Sequence, residues 1–256
     1  MSRESEFIFG LRPVIEAIRE GKQIERLLIK QGLQGQLYHE LMKEVREHSI
    51  PYQIVPVEKI DRHTRKNHQG VLAFVSLIEY QEISNLLPGV FEKGEDPLIL
   101  CLDGITDVRN FGAIARSAEC FGAHAILIPE KGSARITADA VKTSAGALNN
   151  LPVCRTRSLT KTIRFLKESG LKVICADEKS KNKIYNARLD GPVVLIMGSE
   201  DRGISKELSS FADETIRIPL TGKTDSLNVS VAAGIILYEI TKQRALSDRN
   251  FKNFRF

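Results

Sequence analysis

Five near-continuous apolar runs in the second part of the chain most constrain its fold. They read LILCLD, AILIP, KVICA, VVLIMG and TIRIPL, and helical segments separate them. A strand with one solvated face alternates apolar and polar residues, whereas a strand covered on both faces is apolar throughout. The runs therefore predict an α/β fold built on a parallel sheet with helices over both faces.

The first 80 residues have a different pattern. Short β-type runs (EFIFG, IERLLIK, YQIV and GVLAFVSLI) alternate with helical segments, RPVIEAIRE and QLYHELMKEVREH. This predicts a small α/β unit of three or four strands. A polar stretch with Pro88, Gly89 and Gly94 follows and suggests a boundary. We predict domains at 1–80 and 97–246, a linker at 81–96 and a basic tail at 247–256.

Composition narrows the class of protein. The chain has 256 residues, 42% of them apolar and 27% charged, which is enough to bury a full core. It contains no run of about 18 uncharged apolar residues, the length that predicts a membrane span. The opening MSRESEFIFG lacks the apolar run of a secretory signal. A soluble, cytoplasmic protein is expected.

The cysteines and histidines predict neither disulfides nor a metal site. No C-x-x-C pair occurs, and stretches such as LILCLDG and KVICADE predict buried, reduced thiols. The histidines are scattered without the spacing of metal ligands. The cysteines are Cys101, Cys120, Cys154 and Cys175, and the histidines are His39, His48, His63, His68 and His124.

Basic residues are concentrated in the second half of the chain. The formal net charge is +5, and residues 153–188 contain ten Lys and Arg against three Asp and Glu. Such a surplus permits a polyanionic partner, although a solvated face would explain it equally well.

Several common catalytic motifs are absent. No two glycines are separated by a single residue, so the G-x-G-x-x-G dinucleotide fingerprint is missing, and the Walker and G-x-S-x-G patterns are missing too. His124 opens an apolar strand, where a structural role is expected. NAD-type, P-loop and serine-hydrolase functions are therefore disfavoured.

Three polar or glycine-rich connections beside apolar strands remain as candidate sites. In the first, LDGITDVRNFGAIARSAECFG, Asn110 is placed to cap a helix, Gly112 permits close approach, and Arg116 follows about a turn and a half later. A plain helix cap followed by a solvent-exposed arginine would also account for this stretch.

The second connection, VVLIMGSEDRGIS, frames Glu200, Asp201 and Arg202 with Gly198 and Gly203 at the end of a buried strand. A solvated turn would explain the charges, but not the two glycines.

The third connection, IPLTGKTDSLNVSVAAGIILYEI, opens a helix whose body is apolar on nearly all sides. Asp225 or Ser226 can cap this helix, and Asn228 supplies a side-chain amide. Its apolar body predicts burial on most faces, either within its own domain or against a second subunit.

Together the three connections resemble the signature motifs of the SpoU/TrmH family of RNA ribose 2′-O-methyltransferases, within the SPOUT superfamily. The stretches FIFGLRPVIEAI, IERLLI and HQGVLA resemble the RNA substrate-binding domain of its RlmB-type branch, which is similar to kink-turn-binding ribosomal proteins. The resemblance covers nearly the whole chain.

The resemblance implies a SPOUT-type parallel sheet with a deep C-terminal trefoil knot, a homodimer, and S-adenosylmethionine as cofactor. It implies that backbone groups around the second and third motifs form the cofactor pocket. The implied cofactor-binding residues are Met197, Gly198 and Leu227 with Ile218, while Gly203 and Pro219 shape the loops.

The resemblance also implies roles in catalysis. Arg116 would position the ribose hydroxyl and stabilise developing negative charge, because a guanidinium is effectively always protonated. Asn110 would orient Arg116 or the ribose, and Glu200 would fix the second motif. Ser226 and Asn228 would contact the substrate edge or hold the loops.

The implied substrate is a guanosine of 23S ribosomal RNA. Transfer RNA or another ribosomal position is an alternative target. A noncatalytic RNA-binding protein of ribosome assembly is a further alternative.

Overall fold

The computed structural model describes residues 7–224 and 226–247, and divides the chain into two compact units, Met1–Glu79 and Tyr80–Phe256. The predicted tail lies almost wholly outside the described residues. Within the described residues, every helix is too short or too polar to span a bilayer.

The first unit is a four-stranded sheet with helices. Strands β4 and β1 pair antiparallel, as do β4 and β2, whereas β2 and β3 pair parallel, giving the order β1-β4-β2-β3. The predicted strands and helices are confirmed, and one short helix, α3, was not predicted. The elements are β1 (Phe7–Phe9), α1 (Leu11–Arg19), β2 (Ile24–Lys30), α2 (Gln36–Glu47), β3 (Tyr52–Val55), α3 (Val57–Asp61) and β4 (Val71–Val75).

Strand β2 is apolar on both faces because each face of the small sheet is covered. Leu27 and Ile29 pack into a cluster with apolar residues of α1 and α2. Leu28 lies on the opposite face, in a cluster with Ile60 of α3. The unit therefore has apolar packing on both sides of its central strand.

The second unit contains a seven-stranded sheet whose pairings are all parallel. Its order is β11-β9-β10-β6-β7-β8-β5, which confirms the predicted parallel sheet. The strands are β5 (Tyr80–Gln81), β6 (Leu98–Asp103), β7 (Ala125–Pro129), β8 (Val153–Thr156), β9 (Lys172–Ala176), β10 (Val193–Gly198) and β11 (Glu214–Ile216).

Two details of these strands differ from prediction. Strands β5 and β8 were not predicted, because one has two residues and the other has half-buried Arg155 and Thr156. Strand β11 ends at Ile216, so the following residues of the TIRIPL run form a loop instead.

Helices cover both faces of the large sheet, as predicted. Residues Ile99, Cys101 and Val173 share a cluster with apolar side chains of α4, α7 and α8, while the alternate residues Leu98 and Leu100 are equally buried. Helices α5 and α9 pack against each other, and α9 contacts β10. The helices are α4 (Ile83–Glu92), α5 (Val108–Cys120), α6 (Ala138–Thr143), α7 (Leu159–Glu168), α8 (Lys206–Ser209) and α9 (Val229–Ser247).

The segment 81–96, predicted as a linker, is part of the second unit. Gln81 belongs to β5, which pairs with β8, and α4 buries Ile83 and Leu87 in the core. Pro88 lies inside this helix. Its presence beside a glycine had suggested a break, but the apolar residues recur at helical spacing and bury one face.

The prediction of buried thiols holds for three cysteines and is wrong for one. Cys101, Cys154 and Cys175 are buried, whereas Cys120 at the end of α5 is exposed, and all four are free thiols. Burial raises the pKa of Cys154 and of Cys175 to about 12. Cys120 differs because it lies beyond Ala118, the last buried residue of α5.

Candidate active site

The first and second motifs leave the sheet side by side. Strands β6 and β10 are parallel neighbours, and Gly198 at the end of β10 is level with Asp103 at the end of β6. The loops that follow them therefore lie at the same carboxyl edge, where parallel α/β sheets place their ligands.

The second motif forms a turn that closes on itself. The N–H of Gly203 donates to the carbonyl of Ser199 at 2.8 Å. A Cβ added to Gly198 would lie 2.1 Å from the carbonyl carbon of Gly203, so no side chain fits there. Asp103 fastens the far side of the turn, because its carboxylate accepts the N–H of Ser205 at 2.7 Å. Close backbone contact thus explains Gly198.

The first motif begins α5 differently from prediction. The N-cap is Asp107, whose side chain accepts the N–H of Asn110 at 2.7 Å. Asn110 was predicted as the cap and is instead the third residue of the helix, so its side-chain amide is available for other contacts. Gly112 permits close packing as predicted, since a Cβ there would lie 2.8 Å from the carbonyl oxygen of Ala140.

One residue from each motif meets in a hydrogen-bonded cluster. The amide of Asn228 donates to Glu200 Oε1 at 2.8 Å and to Asn110 Oδ1 at 3.0 Å. The amide of Asn110 also donates to Glu200 Oε1, at 3.3 Å. We call Asn110, Glu200 and Asn228 the amide–carboxylate cluster. It shows that the three motifs form a single site.

The same cluster fixes the start of α9. Glu200 Oε1 accepts the N–H of Val229, the first residue of the helix, at 3.3 Å. A carboxylate at this end of a helix is favourable because the helix dipole is positive there. Asn228 Oδ1 accepts the N–H of Ser230 at 2.9 Å. The polar opening of α9 is therefore held by a residue of the second motif.

Of the two predicted caps of α9, Ser226 does not have this role. Ser226 is exposed and makes no hydrogen bond with any described residue, and Asp225 lies outside the described residues. The N–H groups at the helix start are instead bonded by Asn228, which accepts from Ser230, and by Glu200, a carboxylate 29 residues from Val229 in sequence.

Arg116 is exposed on α5. Among the described residues it has no hydrogen-bond or ion-pair partner, so its guanidinium is free to bind an oxygen anion. Neither Arg116 nor Ser226 takes part in the amide–carboxylate cluster. The structure thus joins three of the five predicted catalytic residues directly.

The predicted cofactor-binding residues lie at strand ends and in the loop before α9. Met197 is buried at the end of β10, and Gly198 and Gly203 shape the adjoining turn. Ile218 and Leu227 are half-buried, whereas Pro219 is exposed. Strand β9 lies between β10 and β11 and brings the start of this loop to the same edge of the sheet.

The loop before α9 has unused backbone groups. Residues 218–224 and 226–227 make no hydrogen bond with other described residues. Their free backbone groups can therefore bind a ligand, while the half-buried side chains of Ile218 and Leu227 offer apolar contacts. Across residues 7–224 and 226–247, no group of three His, Cys, Asp or Glu side chains could hold a metal ion.

Asp103 and Asp107 are site residues that sequence reasoning missed. Asp103 ends a buried strand and Asp107 precedes Asn110 by three residues, which is the usual spacing of a helix cap. That spacing was the available signal for Asp107. For Asp103, no sequence pattern indicates its bond to Ser205.

Fold and site together define a SpoU-type methylase. The model of the SpoU rRNA methylase family matches residues 97–238, and a model described as RNA 2′-O ribose methyltransferase substrate binding matches residues 7–81. The chain belongs to the SpoU rRNA methylase family, a family of RNA methyltransferases.

Named relatives align over nearly the full chain. YacO of Bacillus subtilis, which carries the name of a TrmH family tRNA/rRNA methyltransferase, is 33% identical over 95% of this chain and 98% of its own. A Staphylococcus aureus protein of the same family name is 35% identical over 94% of this chain and 97% of its own.

Solved structures have the same overall fold. The SpoU methyltransferase AviRb from Streptomyces viridochromogenes, in complex with AdoMet, aligns with a TM-score of 0.60 and 26% identity. That alignment covers 94% of this chain and 91% of AviRb. An AdoMet-bound rRNA methyltransferase from Sinorhizobium meliloti aligns with a TM-score of 0.59 and 25% identity, over 92% of this chain and 86% of its own.

Proposed function

We propose that this protein transfers a methyl group from S-adenosylmethionine to a ribose 2′ hydroxyl of RNA, at a guanosine of 23S ribosomal RNA. The observation that carries the proposal is the amide–carboxylate cluster, which joins all three motifs. Membership of the SpoU family supports RNA methylation, and the substrate-binding match over residues 7–81 supports ribose as the acceptor.

The residues at the strand ends fit S-adenosylmethionine. Ile218 and Leu227 are half-buried and offer apolar surface for the adenine, Met197 lies buried near the end of β10, and the unused backbone groups of residues 218–224 offer hydrogen bonds to the adenine. Gly198 and Gly203 keep the adjoining turn compact, and Pro219 shapes the loop. AviRb binds this cofactor in a related structure. When bound, S-adenosylmethionine supplies the methyl group on its sulfonium.

Arg116 positions the acceptor in this proposal. Methyl transfer requires alignment of the hydroxyl, loss of its proton and stabilisation of the charge that develops on oxygen. A guanidinium is effectively always protonated and carries a rigid fork of donors. Arg116 therefore binds and orients a phosphate or ribose oxygen, and a phosphate or water accepts the proton.

The amide–carboxylate cluster holds the loops of the three motifs in fixed positions relative to one another. Glu200 accepts from Asn110, Asn228 and the start of α9, so it fixes the second motif against the other two. Ser226, exposed two residues before Asn228, contacts the edge of the RNA substrate in this proposal.

A homodimer forms part of the proposal. One face of α9 is buried, including Ala233, Ile236, Leu237 and Ile240. Val231, Ile235 and Tyr238 are 51%, 38% and 56% exposed, at the spacing of a second helix face. A helix buried wholly within its own domain would not leave these side chains uncovered. A second copy of the chain would bury them.

A C-terminal trefoil knot also belongs to the proposal. Strand β11 lies at one edge of the large sheet, whereas α9 packs on α5, which connects the more central strands β6 and β7. The chain after β11 therefore returns across the sheet before α9 begins. Threading of this return would be an exception to the usual absence of knots.

The choice of RNA separates the remaining alternatives. Transfer RNA remains the second candidate substrate, because relatives carry the name tRNA/rRNA methyltransferase. A noncatalytic ribosome-assembly protein would not need the cluster and a free Arg116. We propose the cytoplasm as the location, since ribosomal RNA is available there.

Methyl incorporation tests the proposal. Purified protein is incubated with tritium-labelled S-adenosylmethionine and unmodified 23S, 16S or transfer RNA, and the labelled position is mapped by primer extension. Incorporation at one guanosine ribose of 23S RNA is the expected result. Labelling of transfer RNA alone would support the second candidate, and absence of labelling in all three would contradict an enzymatic function.

A further inference from the structure

A basic loop leaves the sheet between the two parts of the proposed cofactor site. Residues 177–185, DEKSKNKIY, which we call the basic loop, follow β9. Cys175 in β9 is level with Ile196 in β10, and Ala176 is level with Ile216 in β11. The loop therefore starts at the carboxyl edge of the sheet, between the second-motif turn and the strand leading to Ile218.

The backbone of the basic loop runs beside Arg217, at the start of the loop before α9. The N–H of Ile184 donates to the carbonyl of Arg217 at 2.9 Å, and the N–H of Arg217 donates to the carbonyl of Asn182 at 2.9 Å. Arg217 directly precedes Ile218. A molecule bound on the basic loop would thus lie next to Ile218 of the proposed cofactor site.

Buried polar contacts hold the basic loop in place. Ser180 is 6% exposed, and its hydroxyl donates to the carbonyl of Thr215 at 2.8 Å. The side-chain amide of Asn182 donates to Glu214, whose other carboxylate oxygen pairs with Lys172 at 2.6 Å. These polar residues anchor the loop to β11, and its lysines are not needed for that purpose.

The lysines of the basic loop remain unpaired. Lys179 and Lys181 are exposed and Lys183 is half-exposed, and none forms an ion pair with a described residue. Several other cations of residues 153–188 form ion pairs, as in the Lys167–Asp213 pair at 2.6 Å and the Arg188–Asp190 pair at 3.0 Å.

The acidic side chains of the loop do not neutralise these lysines. Asp177 accepts the backbone N–H of Lys179 at 2.9 Å, and Glu178 is exposed with no ion pair among the described residues. The loop therefore carries three ammonium groups without an ion-pair partner in the described part of the chain, and the exposed ring of Tyr185.

Tyr185 adds an exposed aromatic ring to the cations of the basic loop. Its side chain is 54% exposed, and the ammonium of Lys183 lies 5.8 Å from the ring centroid. Unpaired cations attract phosphates, and an exposed aromatic ring stacks on a nucleobase whatever its sequence. An acidic peptide would use the cations without using the ring.

We propose that the basic loop binds single-stranded RNA flanking the methylated nucleotide, with Lys179, Lys181 and Lys183 on phosphates and Tyr185 stacked on a base. This inference rests on the proposed function, because the loop lies beside the cofactor site. It assigns the loop to holding the substrate, separate from the first unit.

Charge-matched variants test the lysines. K179A/K181A/K183A removes the charges, and K179R/K181R/K183R retains them at the same positions. The probe is a fluorescent single-stranded RNA of about 20 nucleotides, longer than the site of one such binding surface. We expect RNA affinity to fall about 10-fold or more in the alanine variant. The slope of the logarithm of affinity against the logarithm of salt concentration should become shallower by about 2. The arginine variant should retain affinity within about twofold.

A second pair of variants tests the ring. Tyr185→Ala should weaken RNA binding about fivefold or more, whereas Tyr185→Phe should preserve it, because both tyrosine and phenylalanine stack on bases. With an RNA substrate, the alanine variants should raise KM and leave kcat nearly unchanged, since these residues do not touch the reacting atoms. Affinity for S-adenosylmethionine, measured by calorimetry, should not change.

The outcomes separate this inference from the proposed function. If K179A/K181A/K183A binds RNA as tightly as the wild type while both proteins incorporate methyl groups, the loop inference is overturned and the proposed function stands. If only the alanine variant loses RNA affinity but no RNA is methylated, the function fails and the loop remains an RNA-binding surface. Equal losses in the alanine and arginine variants would refute the electrostatic role.

Discussion

The side-chain amide of Asn228 lies 2.8 Å from the carboxylate of Glu200, although the two residues belong to different loops. Helix α9 begins at the next residue, Val229, whose N–H donates to the same carboxylate oxygen. This single oxygen therefore fixes the helix start relative to the second-motif turn. Asn110 adds the first motif to the same arrangement.

Glu200→Ala should loosen all three motifs. The change removes an acceptor used by two side-chain amides and by the start of α9. We expect a loss of about 1 kcal/mol in the free energy of unfolding, the usual size of a lost helix cap. Urea unfolding measures the change, and methyl incorporation should fall with it. Glu200→Gln keeps one oxygen acceptor, so its free energy of unfolding should lie between those of the alanine variant and the wild type. Equal stability of alanine variant and wild type would contradict the capping role.

Arg116→Ala should impair catalysis without affecting folding. The side chain is exposed and has no partner among the described residues, so its removal leaves no buried group unsatisfied. We expect kcat to fall about 100-fold or more, as when a donor to a developing oxyanion is lost. Single-turnover methylation measures the step. Arg116→Lys should restore part of the rate, and an alanine variant with wild-type kcat would refute the assigned role.

Much of the fold could be predicted from sequence, because strands covered on both faces are apolar throughout. The amide–carboxylate cluster could be predicted only in part. The strand ends place Asn110 and Glu200 at one edge of the sheet, but their bond depends on which strands are neighbours. Asn110 was predicted as the helix cap, but the helix begins at Val108 and Asp107 caps it.

Gly198→Ala should abolish cofactor binding. Its added Cβ would lie 2.1 Å from the carbonyl carbon of Gly203, so the second-motif turn must open. Gly191→Ala is the matched control, since nothing lies within 4 Å of a Cβ added there. Calorimetric titration with S-adenosylmethionine compares the two variants. Wild-type affinity in Gly198→Ala would show that the tight turn is unnecessary for binding.

The thiols should differ in reactivity. Burial raises the pKa of Cys154 and of Cys175 to about 12, and raises that of Cys101 as well, so these thiols stay protonated near pH 8. The native protein should therefore react with Ellman's reagent at Cys120 alone, and all four thiols should react after denaturation. Cys120→Ser is the control and should abolish the native reaction. Rapid labelling of native Cys120→Ser would contradict the burial of the other thiols.

The ionisation of the buried thiols also makes the stability of the fold depend on pH. Their pKa is raised in the folded state, so the unfolded chain loses these protons first as the pH rises above about 9, the ordinary value for a thiol. Their contribution to stability is complete below that pH and declines towards pH 12. Chemical unfolding between pH 8 and 11 measures this decline, and Cys154→Ala should reduce its slope.

Val231→Asp should convert the proposed homodimer into monomers. Val231 is 51% exposed on the same face of α9 as Ile235 and Tyr238, and a charge buried there on association would be unpaired. Ile54→Asp is the matched control, because Ile54 is 58% exposed on a strand of the first unit. Sedimentation velocity should show a monomer for the first variant and a dimer for the second. A monomeric wild-type protein, or a dimer that survives Val231→Asp, would require a different cover for this face of α9.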